Sequence, residues 1–151
     1  MNYRQATLAD LPKLLELEQA VVEAERPFNE VIKPQNAHYY DIEHLIADED
    51  SYLLVIEASN EIIATGYVQI RESKPSLTHD KHGYLGFMYV DPNHRGKGLN
   101  QTLIEQLVSW SKNIGVNVFY LDVYAQNSAA IRAYEKVGFV PSLMEMRLNV
   151  K

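Results

Sequence analysis

The sequence predicts an α/β protein built on a mixed sheet, and three observations carry that expectation. β-rich runs at residues 51–57 and 62–71 lie on either side of Ala58-Ser59-Asn60-Glu61, the pattern of an antiparallel hairpin. Further runs at 84–90 and 118–124 are separated by a helical pattern, as a parallel crossover needs. The 151 residues carry 46 % hydrophobic side chains with no repeat, low-complexity tract or linker, so residues 1–151 read as one domain around one core.

The elements follow in order. Tyr3-Arg4-Gln5-Ala6 reads as a short first strand. Thr7 or Asp10 can cap a helix whose inner positions are Leu11, Leu14, Leu15, Glu18, Val21 and Val22, with Glu18 the one polar intruder. Residues 25–37 hold two prolines and two asparagines and predict an irregular connection. A shorter second helix is expected over 39–47, followed by the hairpin strands, a polar loop at 74–81 and the strand at 84–90. The next helix carries Leu99, Leu103, Leu107 and Ile114 on one stripe, joined by Ile104 and Val108, and Gly115 ends it. In the strand at 118–124, Phe119, Leu121 and Val123 share one face, and Tyr120, Asp122 and Tyr124 the other. Asn127 or Ser128 caps a last helix that runs through Lys136 and stops at Gly138. A closing β segment is expected over 139–149, broken near Pro141.

Composition removes several classes of function. With no cysteine there is no disulfide, no thiolate metal site and no cysteine nucleophile. No apolar run approaches the ~18 residues that span a bilayer. Met1-Asn2-Tyr3-Arg4 opens no signal peptide, and a cytoplasmic location is expected. The net charge of −6 argues against nucleic acid or an anionic membrane as a partner. It suits a cationic substrate, or simply keeps the protein in solution. His38, His44 and His79 show no metal-ligand spacing with carboxylates, so no metal is expected.

The run Val90-Asp91-Pro92-Asn93-His94-Arg95-Gly96-Lys97-Gly98-Leu99-Asn100 is the most informative stretch. It reads as a strand end, a proline stop, a basic glycine loop and a helix start. Arg95 and Lys97 stand at a helix N-terminus, where the dipole disfavours cations. Gly96 and Gly98 let backbone N–H groups point at a common spot. An anion, most simply a phosphate, completes such an arrangement.

Two motifs carry a resemblance. Arg95-Gly96-Lys97-Gly98-Leu99-Asn100 follows a pattern of Gln or Arg, two residues, Gly, one residue, then Gly or Ala, departing only at Asn100. Asn127-Ser128-Ala129-Ala130-Ile131-Arg132-Ala133-Tyr134-Glu135-Lys136-Val137-Gly138-Phe139 joins an asparagine-to-tyrosine helix to a Gly-Phe ending. In this order, with a helix and a strand between them, they resemble the GNAT N-acetyltransferase superfamily, whose members bind acetyl-CoA. The likeness spans residues 84–139 and is topological before that. It implies a mixed, mostly antiparallel twisted sheet, splayed at its centre and flanked by about four helices. It further implies acetyl-CoA as co-substrate, with its diphosphate on the N–H groups of Arg95, Gly96, Lys97, Gly98, Leu99 and Asn100. Pantetheine would pair with Met88 and Val90 as an added strand. An N–H at Met88 or Tyr89 would polarise the acetyl carbonyl, and Asn127 would hydrogen-bond or position the pantetheine.

The implied reaction is direct attack of a primary amine, on a small molecule or a protein, on the thioester. A lysine-like amine (pKa ~10.4) must first lose a proton, which costs about 4–5 kcal/mol at neutral pH. By resemblance Tyr134 protonates the departing thiolate; out of that context it would read as a packed helix tyrosine, and Asn127 as a plain N-cap. Asp122, twelve residues before Tyr134, stands where ribosomal-protein relatives carry a glutamate, and is the candidate base. The alternative is an aspartate paired with a cation or open to water. Elsewhere in the superfamily a glutamate stands four residues before the Met88 position; here that residue is Tyr84, with His82 on the same face, so a water wire ending at His82 is a second route. Glu23, Glu25 and Glu30 cluster where the acceptor usually docks, as an amine-attracting group or as solvated surface. A homodimer is expected by analogy.

Other phosphate-binding readings fail. The loop lacks the third glycine of a dinucleotide fingerprint, and no Gly-Lys pair is followed by serine or threonine as a P-loop requires. The remaining alternative is a non-catalytic acyl-CoA-binding sensor domain.

Overall fold

Strand pairing organises most of this chain. The computed structural model describes residues 1–151, in two compact units, Met1–Leu121 and Asp122–Lys151. In the first unit five strands pair in chain order: β1 (Asn2–Gln5), β2 (Ser51–Ala58), β3 (Glu61–Glu72), β4 (Lys81–Val90) and β5 (Phe119–Tyr120). The first four are antiparallel, and β5 runs parallel to β4. The β2–β3 hairpin turns at Ser59 and Asn60, whose φ angles are both positive (52° and 63°), as a type I′ turn demands.

The strand expected over 118–124 is reduced to Phe119 and Tyr120, paired with Gly83 and Tyr84. Gly83 makes that pairing possible. A Cβ there would meet the Phe119 ring at 2.7 Å. Beyond Tyr84, residues 85–90 of β4 have no strand on that side, which is the splay.

A bulge in β4 decides what that free stretch presents. Thr65 pairs with Tyr89 but Tyr67 pairs with Gly86, so β4 carries an extra residue, and Phe87 takes a left-handed φ of 54°. The bulge breaks the strand's in–out alternation. Phe87 joins Leu14, Leu17 and Tyr67 in one core cluster, while the Met88 side chain covers Gly66 beside Leu107. The face holding Phe87 is covered by α1 (Leu11–Glu25) and α2 (Ile42–Ala47), which contribute Leu14, Leu17, Val21, Ile42 and Leu45 to that cluster. The opposite face is covered by α3 (Leu99–Lys112), where Trp110 stacks on Tyr52 at 5.3 Å.

Helix details depart from the expectation at specific residues. A 3-10 turn at Leu8–Asp10 precedes α1, and the Asp10 carboxylate accepts from the Thr7 N–H (2.8 Å) and from both terminal nitrogens of Arg4 (2.8 Å each). In α1 the buried stripe takes Leu17 in place of Leu15, which is exposed. Ile114 lies past the end of α3 and is exposed, so the stripe there is Leu99, Leu103, Ile104 and Leu107.

Glu18 is no flaw in the pattern. Its carboxylate is fully buried and accepts from the N–H groups of Tyr39 (2.8 Å) and Tyr40 (2.9 Å), with His38 Nδ1 at 3.0 Å. Beside it, Gln19 Nε2 donates to the Ala37 carbonyl (2.9 Å). These bonds explain why α2 starts at Ile42 and not at residue 39. The tyrosine N–H groups are held by Glu18, and Asp41 caps the helix by accepting from the His44 N–H (3.2 Å). Further along α1, half-buried Glu25 has its carboxyl pushed above the usual range by burial, against a hydrogen bond with Tyr39 that pulls it down.

The second unit holds α4 (Ser128–Val137). Asn127 caps it, accepting from the Ala130 N–H at 3.3 Å. Gly138 is left-handed (φ 119°); its N–H donates to Glu135 O and that of Phe139 to Tyr134 O, both at 3.1 Å. This is a Schellman ending, and the Tyr134 and Phe139 rings meet edge-on at 5.9 Å as its apolar contact. The closing β segment is not formed. Met144, Met146, Leu148 and Val150 alternate as a strand would, but each is exposed, and a strand exists only where a ladder partner takes its N–H and C=O groups.

Glu18→Ala strands two part-buried N–H donors at ~1–3 kcal/mol each, so chemical denaturation is expected to show a loss of about 2 kcal/mol, partly recovered in Glu18→Gln. A loss below ~0.5 kcal/mol, the size of an ordinary surface change, would remove Glu18 as the clamp. Glu25 follows the raised-carboxyl rule: its contribution is intact below the ordinary glutamate pKa and is lost as pH rises through its own titration. Glu25→Gln is therefore expected to match the parent melting temperature near pH 4 and exceed it at neutral pH; an equal gap at both pH values counts against this.

Candidate active site

The free edge of β4 offers backbone groups in a defined direction. The Asp91 N–H donates to Ile63 O on β3 (2.7 Å), so alternation turns the N–H and C=O of Val90 to the opposite, unpaired side. The Arg95 Nε donates to the Val90 carbonyl from that side at 3.0 Å. The expected Met88 and Val90 thus lie on the stretch that β5 leaves uncovered.

The chain then turns sharply. Asp91 holds a 3-10 turn at Pro92–His94 by accepting from the Asn93 N–H (3.0 Å), with His94 Nδ1 at 3.2 Å. The hydrogen bond from His94 keeps the Asp91 carboxyl below its usual range. Gly96 and Gly98 are both left-handed, with φ of 80° and 75°, and a Cβ built on either meets nothing within 4 Å. Backbone conformation, not crowding, requires glycine here. Gly98 is the N-cap of α3 and brings no capping side chain, so the first-turn N–H groups of Leu99 and Asn100 are left for a ligand. Arg95, Gly96, Lys97 and Gly98 are all exposed. An anion of phosphate type fits this turn by geometry and by the sign of the helix dipole.

The remaining expected residues lie in the second unit. Asn127 acts as the N-cap of α4, Tyr134 sits in its last turn against Phe139, and Asp122 precedes it in an exposed position.

On the α1–α2 side of the sheet lies a cavity of about 150 Å³ lined by Tyr39, Tyr40, His44, Tyr67, Gln69 and Arg71 among others. Tyr40 stacks on Phe87 at 4.6 Å and meets Tyr67 edge-on at 5.9 Å. The Tyr67 ring occupies the space a Cβ on Gly86 would need. Burial pushes the Tyr40 phenol far above its usual range, so it stays neutral. Of the three glutamates expected near the acceptor, Glu23 pairs with Arg26 (2.9 Å), Glu30 is exposed, and Glu25 is the half-buried carboxyl that burial pushes above its usual range.

A polar cluster adjoins it. Ser73 Oγ contacts His79 Nδ1 (2.7 Å) and His82 Nδ1 (2.9 Å), and His79 Nε2 contacts the Tyr120 hydroxyl (3.0 Å). Burial, then the charges of His79 and Arg71, hold the His82 pKa below its usual value. The sequence pointed to His82; it missed Ser73, His79 and Tyr120 as its companions. The signal was the long β3–β4 loop, which closes with the Ser73 N–H on Asp80 O (2.8 Å) and brings both histidines to one strand end. No group of three or more His, Asp or Glu side chains is gathered to hold a metal ion, and no helix is long and apolar enough to cross a membrane.

Comparison with known proteins bears on this geometry. The family model described as "Acetyltransferase (GNAT) family" matches residues 18–139. The L-methionine sulfoximine/L-methionine sulfone acetyltransferase of Salmonella typhimurium is 25 % identical over 154 residues, covering 100 % of this chain and 86 % of that protein. Two other curated relatives are longer; the matched part of this chain spans only 25 % and 57 % of them. A tetramutant of the BH1408 protein from Bacillus halodurans superposes with a TM-score of 0.87 at 26 % identity, over 99 % of this chain and 100 % of that one. A predicted acetyltransferase with acetyl-CoA from Clostridium acetobutylicum shares the fold, with a TM-score of 0.77 at 24 % identity over 98 % and 95 % of the two chains. A splayed sheet, a glycine turn heading α3 and a family match across most of its length agree: the chain belongs to the acetyltransferase (GNAT) family.

Proposed function

We propose that this chain transfers the acetyl group of acetyl-CoA to a primary amine, residues 1–151 acting as one domain. The observation that carries the reading is the free β4 edge running into a glycine turn at the uncapped head of α3. Backbone N–H groups of Arg95, Gly96, Lys97, Gly98, Leu99 and Asn100 receive the diphosphate. Asn100 departs from the motif only in its side chain and keeps its N–H. Met88 and Val90 take the pantetheine amides as a strand would, with Arg95 Nε leaving the Val90 carbonyl to make room. Family membership supports the co-substrate, and the Salmonella relative, named for methionine sulfoximine and sulfone, supports a small acceptor. A homodimer in the cytoplasm belongs to the same reading, by analogy alone.

In the reaction the amine nitrogen bonds to the thioester carbonyl carbon and the C–S bond breaks. The amine's proton goes to a base, and the thiolate takes one from an acid. Tyr134 is the acid and Asn127 positions the pantetheine. The base is Asp122, or water leading past Tyr84 to His82, whose lowered pKa keeps its ring neutral and receptive at pH 7.

Thiol release from acetyl-CoA across an amine panel tests the activity, and silence together with no calorimetric binding of acetyl-CoA would overturn it. Tyr134→Phe is expected to keep acetyl-CoA affinity and lose ~10²-fold or more in kcat, the usual share of a general acid; unchanged turnover removes Tyr134 from the chemistry. Gly98→Ala forces a left-handed residue at ~1–2 kcal/mol, so acetyl-CoA is expected to bind about tenfold more weakly. Unaltered affinity would take the turn out of the CoA site.

A further inference from the structure

Arg71 is held in a way that leaves its recognising end idle. Its guanidinium lies 4.0 Å over the Tyr84 ring, and its Nε donates to Gln69 Oε1 at 2.8 Å. None of the ion pairs includes it, although acids outnumber Lys and Arg by 20 to 14. Arg4 and Arg26, by contrast, pair with Asp10, Glu57 and Glu23. Stacking and the Nε bond fix the plane of Arg71, so its two terminal amino groups form a pre-oriented fork of the shape that binds a carboxylate.

Arg71, itself exposed, is one of the residues that line the cavity beside the bulge. Gln69 and Arg71 stand opposite Tyr84 and His82 on β4, on the same sheet face as Tyr67 and Gly86. Tyr40, in the cavity wall, stacks on Phe87, next to the free edge where the thioester is read to lie. At about 150 Å³ the cavity is below the ~300–1,000 Å³ of sites for drug-sized ligands, so it suits a small acceptor. Asp41 also lines it, with Oδ1 taken by the His44 N–H, so both signs of charge are present, as a zwitterion requires.

Resting on the acetyl-transfer reading above, we propose that this cavity receives the acceptor and that Arg71 binds a carboxylate on it. The acceptor class is then amino acids, and purely cationic amines such as polyamines are poor substrates. The carboxylate is a handle and undergoes no bond change.

The test compares amino acids with the amines that lack only the carboxylate, for example L-leucine with isopentylamine, by thiol release from acetyl-CoA. The expected result is a kcat/KM about a hundredfold or more higher for the amino acids, since a site built for a polar group rejects the analogue without it. In Arg71→Gln that ratio is expected to fall towards one, with acetyl-CoA affinity and melting temperature kept. Decarboxylated amines turned over as well as amino acids, or a ratio that survives in Arg71→Gln, overturns this inference and leaves acetyl transfer standing. Silence with both series and no acetyl-CoA binding overturns the parent reading, and this one with it.

Discussion

A single left-handed residue in the middle of a strand sets up the rest of this structure. Phe87 has φ of 54°, a conformation that disfavours any residue with a Cβ, and it is almost completely buried. Packing over-determines it: Tyr40 stacks on its ring, and Tyr67 fills the space that Gly86 leaves open. Because of that one residue, the side chains before and after the bulge change faces. Aromatic rings collect on the α1–α2 side, and Met88 goes to the α3 side. Beyond Tyr84 the sheet opens, and β4 arrives at the glycine turn with a backbone edge that no strand pairs, its Val90 carbonyl held by Arg95 Nε.

The aromatic side of the bulge depends on a second, distant clamp. Tyr39 and Tyr40 belong to an irregular connection that would otherwise have no reason to lie against the sheet. Glu18 supplies that reason by taking their two N–H groups from a fully buried position in α1. A buried carboxylate is stable only when its lone pairs are filled, so helix and connection order each other. Tyr40 is then in place to stack on Phe87.

Much of this was legible in the sequence, and the gaps have physical causes. The hairpin at Ser59-Asn60, the glycine turn at Gly96 and Gly98, the Asn127 cap and the Gly138 stop are local signals. Each depends on the backbone preference of the residue that shows it. Glu18 read as an intruder because its partners are backbone groups some twenty residues away, which no periodicity reveals. For the same reason Tyr39 and Tyr40 looked helical. Phe87 gave no hint at all, since phenylalanine is an ordinary strand residue and its reversal comes from tertiary packing. The short β5 and the tail after Val140, which forms no strand, show the opposite limit: alternation supplies a strand's pattern, but only a neighbouring strand supplies its ladder. Among the site residues, those of the β4 edge and the glycine turn are contiguous in sequence and were readable together. Arg71 acquires meaning only through the stacking and register that bring it to Tyr84.

The serine that joins the two imidazoles has a further consequence. Ser73 owns one hydroxyl hydrogen, yet its oxygen meets the Nδ1 of both His79 and His82. One hydrogen cannot satisfy two acceptors, so at least one ring carries its own on Nδ1. While that ring is neutral, its Nε2 has a bare lone pair. In His79 that lone pair faces the Tyr120 hydroxyl; in His82 it is a basic nitrogen that the fold keeps uncharged at neutral pH. The tautomers of the pair are thus coupled through a single oxygen, and a proton gained at one end changes what the other end can accept.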